Sequence, residues 1–152
     1  MRPKLSGCIT IHHATIAEII ALRHAELRPG RPRAAACFDG DEAADTRHFA
    51  ALEPGGAVVG CASFMRAPWH DLPAWQLRGM ATRADLVRHG VGAALLGGAC
   101  AQLIAWSGPR AFWCNARVTA VGFYQRQGWR VASDVFEVED VGPHMRMVLE
   151  PM

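Results

Sequence analysis

The stretch that decides the fold runs from Ala74-Trp75-Gln76-Leu77-Arg78-Gly79-Met80-Ala81, through a polar loop, into Gly90-Val91-Gly92-Ala93-Ala94-Leu95-Leu96. The first segment reads as a strand. The last opens a helix that runs to about Ala105, where Ser107-Gly108-Pro109 stops it. Two glycines where a loop enters a helix leave backbone N–H groups uncovered, and such a helix start attracts anions, phosphates above all. Glycines also end turns and let helices pack closely, so spacing alone leaves both readings standing.

Working outward, His48 to Glu53, Pro54-Gly55-Gly56 and Ala57 to Met65 describe two strands joined by a tight turn. The strand around Leu77 is expected beside this hairpin. Nearer the start, Cys8 to His12 alternates as a short strand, and Ile16, Ile19, Ile20 and Leu27 recur at helical spacing. Thr15 and Glu18 form a capping-box pair for that helix. Arg31 to Thr46 reads as a loop or broken helix, with Phe38-Asp39-Gly40-Asp41 as a turn. Downstream, Ala111 to Asn115 is a strand. Thr119 to Gln127 is a helix capped by Thr119 and ended by Gly128, and Arg130–Glu139 and Met145–Leu149 are two last strands around Gly142-Pro143.

The chain of 152 residues, 51% hydrophobic and 20% charged, has the size and composition of one globular domain, residues 1–152. A net charge of +2 gives no reason to expect nucleic acid or a membrane surface as partner. The five cysteines are odd in number and scattered among small or apolar residues, as reduced core cysteines are, and no metal is expected. Met1-Arg2-Pro3-Lys4-Leu5 is not followed by an apolar run of signal-peptide length, so a cytoplasmic location is the default expectation.

The order of elements and two motifs resemble the GNAT family of acetyl-CoA-dependent N-acetyltransferases. Leu77-Arg78-Gly79-Met80-Ala81-Thr82, followed by Arg88-His89-Gly90-Val91-Gly92-Ala93, is similar to the family's acyl-CoA motif, Arg/Gln-x-x-Gly-x-Gly/Ala. Ala120-x-x-x-Tyr124-x-x-x-Gly128-Trp129 resembles its Ala-x-x-x-Tyr-x-x-x-Gly-Phe. The resemblance implies an α/β GNAT fold, a mixed central sheet of about six or seven strands flanked by about four helices. It implies direct acetyl transfer from acetyl-CoA to a small-molecule or peptide amine through a tetrahedral intermediate. It also implies a pyrophosphate site over Arg88, His89, Gly90, Val91, Gly92 and Ala93, with backbone groups of Met80, Ala81 and Thr82 pairing the pantetheine arm of coenzyme A. Asn115, Arg117 and Phe123 are further candidate cofactor contacts, and the sole tyrosine, Tyr124, is the candidate acid for the leaving thiolate. A homodimer is common in the family.

Three positions depart from the pattern. Val87 stands where Arg or Gln is usual, with Arg88 one place later as a substitute charge. Gln76 stands where histone-type members carry a basic glutamate, and an amide takes no proton at neutral pH. Arg117 stands where many members have Asn, with Asn115 two residues earlier, and either inherits the role. The base is then another residue, a water chain, or unnecessary. His144, held by Gly142-Pro143-His144, is the favoured candidate beside His48, Glu137 and Asp134. Arg23, Arg28 and Arg78 are candidates to meet an acidic substrate group, and Trp69 and Trp75 either line the acceptor mouth or fill core. Outside acyl transfer, a catalytically weak acyl-CoA-binding module acting through a partner is the alternative. A nucleotide-binding loop is disfavoured because no Lys-Ser/Thr follows the glycines.

Overall fold

A computed structural model describes residues 8–151, so the expectation drawn from Met1 to Leu5 lies outside the described residues. The strands are β1 (Thr10–Ala14), β2 (Arg47–Leu52), β3 (Val58–Arg66), β4 (Ala74–Thr82), β5 (Ala111–Arg117), β6 (Arg130–Val131), β7 (Phe136–Val138) and β8 (Gly142–Leu149). The helices are α1 (Ile16–Leu27), α2 (Val91–Ser107) and α3 (Val121–Arg126). One sheet holds all the strands in the order β1-β2-β3-β4-β5-β8-β6, with β7 also on β8. Every pairing is antiparallel except β4 with β5.

Eight described strands and three α-helices correct the expected counts. The expected strand Arg130–Glu139 is two pieces, because Ser133 Oγ accepts the Arg146 N–H at 2.8 Å and takes the place of a ladder carbonyl. The Arg31–Thr46 segment contributes only a 3-10 turn at Arg33–Ala36, followed by the expected turn at Phe38, where Asp41 N–H bonds to Phe38 O at 3.1 Å. Thr119 does not cap α3. The chain enters that helix through a 3-10 turn, Val118–Ala120, whose backbone bond from Val121 N–H to Val118 O does the capping. Gly128, at φ 91°, ends α3 as expected, and Trp129 N–H reaches back to Tyr124 O at 3.0 Å.

The capping box at Thr15 is formed in both directions and fixes where α1 starts. Helix α1 packs on one sheet face over Ala14, Ala50, Cys61 and Ala81, and α2 covers the other over Ala51, Val59 and Leu77. On β4 the period-2 alternation puts Trp75 and Leu77 toward α2. A bulge then interrupts the β3–β4 register between Cys61 and Ser63, with Gly79 at φ 64°. The extra residue flips the alternation, so that Met80 also faces the α2 side while Ala81 turns to α1. No described helix is long and apolar enough to cross a membrane.

Candidate active site

Strands β4 and β5 pair in parallel over only three positions, Ala74 with Ala111, Trp75 with Phe112 and Gln76 with Trp113. Beyond Gln76 they part, and β5 continues on β8 instead. The edge of β4 from Leu77 to Thr82 therefore has no strand partner on that side. Into the gap opens a cavity of about 260 Å³ whose walls include Gln76, Arg78, Met80, Asn115, Tyr124 and His144. Of the expected cofactor contacts, Met80, Asn115 and Arg117 line this cavity, and Ala81 and Thr82 continue the β4 edge beside it.

At the α2 start, Arg88 and Gly90 both take left-handed backbone angles, φ 70° and 84°. The first helical bond is from Ala94 N–H to Gly90 O, which leaves the amides of Gly90, Val91, Gly92 and Ala93 without intrahelical partners. No side chain caps this end, and its first turn contains no acidic residue. The space where a Gly90 Cβ would stand is open. Arg88 and His89 are exposed beside it. Amides without intrahelical partners, the positive end of a 17-residue helix and the exposed Arg88 make a donor set that fits an anionic diphosphate. Gly92 has a packing role as well, since a Cβ there would stand 3.3 Å from the Phe123 ring. Phe123 thus seats α3 against α2.

Tyr124 projects from α3 into the same gap. Its hydroxyl donates to the Met80 thioether at 3.8 Å, and its ring packs between Phe123 and Trp129, each with centroids 5.2 Å away. Burial raises the phenol well above its usual 10, and the neighbouring Cys114 thiol adds to the shift, so the group stays protonated. Burial likewise pushes the Cys114 thiol up to about 12. His144 is buried, stacks on Phe136 at 6.1 Å and lies opposite Arg117 across the β5–β8 ladder. A carbonyl only accepts, so its Nδ1–H donates to Gly142 O at 2.8 Å, and the tautomer that this bond selects has its lone pair on Nε2.

The other candidate bases do not reach the cavity. Asp134 and Glu137 are exposed outside it. His48 is buried, with Nε2–H donating to Asp41 O at 2.9 Å and Nδ1 accepting from the Ser63 hydroxyl at 2.6 Å. Ser63 Oγ in turn accepts from Arg23 Nη2 at 2.7 Å. Arg23, 0% exposed, also grips Asp41 at 2.7 and 3.1 Å and Ala36 O at 3.0 Å. The Gly79 bulge sits against this cluster, for a Cβ there would stand 2.8 Å from Arg23 Nε. Arg23 is therefore a buried anchor rather than a substrate contact. Its signal in the sequence is its place in the Ile16, Ile19, Ile20, Leu27 stripe, where a charge at an apolar position demands a buried partner. Trp69 and Trp75 are core. Phe38, not singled out by sequence, lines the cavity under Arg78 and Arg28, whose guanidinium carbons lie 5.0 and 5.6 Å from its ring.

Comparison with known proteins bears on this arrangement. A family model described as acetyltransferase (GNAT) family matches residues 14–129. A Bacillus subtilis (strain 168) protein described as uncharacterized N-acetyltransferase YitI is 29% identical over 136 residues, which covers 88% of this chain and 90% of that protein. Among solved structures, a putative N-acetyltransferase from Lactobacillus plantarum superposes with a TM-score of 0.78 at 20% identity, covering 96% of this chain and 100% of that one. Escherichia coli ElaA gives 0.76 at 19% identity, covering 94% and 100%. At such identities the structural likeness speaks for the fold.

Proposed function

The chain belongs to the GNAT family of acetyltransferases, and from that premise we propose that it acts, as a single domain, to move acetyl from acetyl-CoA to a primary amine by direct attack. Acyl transfer from coenzyme A is the family's activity; the acetyl donor, the route and the residue roles are our reading. The observation that carries it is the parting of β4 and β5 beyond Gln76, which opens one cavity to the Tyr124 hydroxyl, His144 and the free β4 edge.

When bound, the thioester supplies the activated acyl group. Gly90 to Ala93, with Arg88, hold the diphosphate by amides and charge, and the β4 edge at Met80, Ala81 and Thr82 pairs the amide-bearing arm as an added strand would. Asn115 at the facing strand is a further contact for that arm. A backbone N–H at Met80 or Ala81 polarises the carbonyl. Tyr124 gives its proton to the departing sulfur, and its raised value keeps that proton available at every working pH. His144 Nε2 takes the proton from the attacking amine.

Direct attack is favoured over an acyl-cysteine route by the state of the cavity's thiol. With Cys114 pushed up to about 12, only about one molecule in 10⁵ carries the thiolate at pH 7. A second reading, an acyl-CoA-binding module acting through a partner, draws on Gln76 and on the lack of any Asp or Glu among the cavity's described walls. An assay for free coenzyme A across pooled amines separates them. Amine-dependent release supports transfer, binding without turnover selects the module, and neither binding nor turnover of acetyl-CoA refutes both.

A further inference from the structure

The acceptor side of the cavity has a definite charge. Arg28, at the end of α1, Arg78 on β4 and Arg117 on β5 all line it, and no acidic residue is among its described walls. None of the three takes part in an ion pair among the described residues. Arg28 Nη1 is spent on Leu27 O at 2.8 Å and Arg78 Nη1 on Asp39 O at 3.3 Å, both neutral carbonyls that leave the charges uncompensated. Arg28 is driven below the usual arginine value, first by burial and then by Arg117, Arg31 and Arg78, which places these cations within reach of one another. Two acids stand near that rim, Asp39, whose backbone carbonyl meets Arg78, and Asp140, which borders the adjoining recess with Arg31; both are exposed, and neither is ion-paired to these arginines.

These arginines are separated from the diphosphate cradle by the sheet. Leu77 faces α2, so its neighbours Gln76 and Arg78 face the α1 side, and Arg28 is the residue that caps the end of α1. The cradle at the α2 start lies against Phe123 and Met80 on the other face. Grouped guanidinium forks over an aromatic floor, Phe38, suit a planar or tetrahedral oxyanion and repel a second cation.

Resting on the acyl-transfer reading above, we propose that the acceptor is an amine that also carries an anionic group, a carboxylate or phosphate held by Arg78, Arg28 and Arg117, and that polycationic amines are excluded. The free amine then lies toward His144, on the same wall as Arg117.

Matched pairs test this: an α-amino acid against its carboxamide, and phosphoethanolamine against ethanolamine, with spermidine as the cationic member. Each is measured twice, for binding to the coenzyme A-saturated protein by calorimetry and for coenzyme A release from acetyl-CoA. The anionic member should bind about ten- to a hundredfold more tightly than its partner, as expected for a charge-assisted fork. R78Q should narrow that ratio to a fewfold while leaving acetyl-CoA affinity within twofold, and R78K should restore part of it. The carboxylate and phosphate arms identify which oxyanion is preferred. Equal binding within pairs, tighter binding of spermidine, or no binding by any anionic member overturns the proposal. Charge discrimination in binding with no acetylation refutes acyl transfer and keeps the anionic site, whereas acetylation blind to charge does the reverse.

Discussion

Replacing Tyr124 with Phe separates chemistry from stability. The hydroxyl is buried among sulfur groups, donating to the Met80 thioether, a weak acceptor, at 3.8 Å with the Cys114 thiol beside it. Its removal forfeits at most about 1 kcal/mol, offset by the relief of desolvating a polar group, so the melting temperature should move by no more than about 2–4 °C. Loss of a general acid costs about 10²–10⁴ in turnover, or roughly 3–5 kcal/mol of barrier. Turnover is read from coenzyme A release under saturating amine, donor affinity from calorimetry and stability from scanning calorimetry. Wild-type activity should show no descending limb from Tyr124 below about pH 10, since the folded-state value lies well above that point. Turnover of Y124F within threefold of wild type would refute the assignment, whereas an alkaline limb near pH 8–9 that Y124F abolishes would refute the raised value and keep Tyr124 as the acid.

Three further outcomes are expected. Asp41→Asn leaves the wholly buried Arg23 guanidinium without its counter-charge and should cost about 3–5 kcal/mol, roughly 6–20 °C in melting temperature; a loss under 1 kcal/mol in urea unfolding contradicts the anchor. Cys61, Cys100 and Cys114 are each raised from 9.0 to about 12, so the native state keeps protons that the unfolded chain releases. Stability is full below about pH 9 and drains away as pH climbs toward 12, at about 1–2 kcal/mol per thiol by pH 10. The chain has one lysine, Lys4, to confuse this titration, and a urea midpoint unchanged between pH 8 and 10 rules it out. His144→Gln should lower kcat/KM about a hundredfold at neutral pH with acetyl-CoA affinity unchanged; a loss under threefold means the base is elsewhere.

What the sequence made legible was local and periodic. The capping box at Thr15, the Gly55-Gly56 turn, the strand at Leu77 and the helix opening at Gly90 each depend on residues a few places apart, and each stands where expected. What stayed hidden depends on partners far along the chain. The split of Arg130–Glu139 needs Ser133 to meet Arg146, and the fate of His48 needs Ser63 and Asp41. The bulge at Gly79 answers to Arg23, 56 positions away, so a glycine that reads as a mere motif position is also the gap into which a buried guanidinium fits. The candidate site was legible in its helix opening, where the amides without intrahelical partners stand at the motif glycines. Its other wall was legible only in part: Arg28 and Arg78 stood out as candidates for an acidic substrate group, whereas Phe38 and Arg117 come from two further segments and carried no such signal.

The closed ring of Arg23, Asp41, His48 and Ser63 has a consequence for how such a protein diverges. It fastens the segment carrying Phe38 to α1, β2 and β3 at once, so that segment is masonry rather than a door. Inserting or deleting residues there would cut the ring and cost the fold about 3–5 kcal/mol before any new specificity could be selected. Arg28, Arg78 and Arg117 stand outside the ring and retain access to water. Each is exchangeable by a single substitution with the anchor intact, so under the proposed anionic-acceptor reading point changes at these three positions are the open road along which a lineage retunes its acceptor.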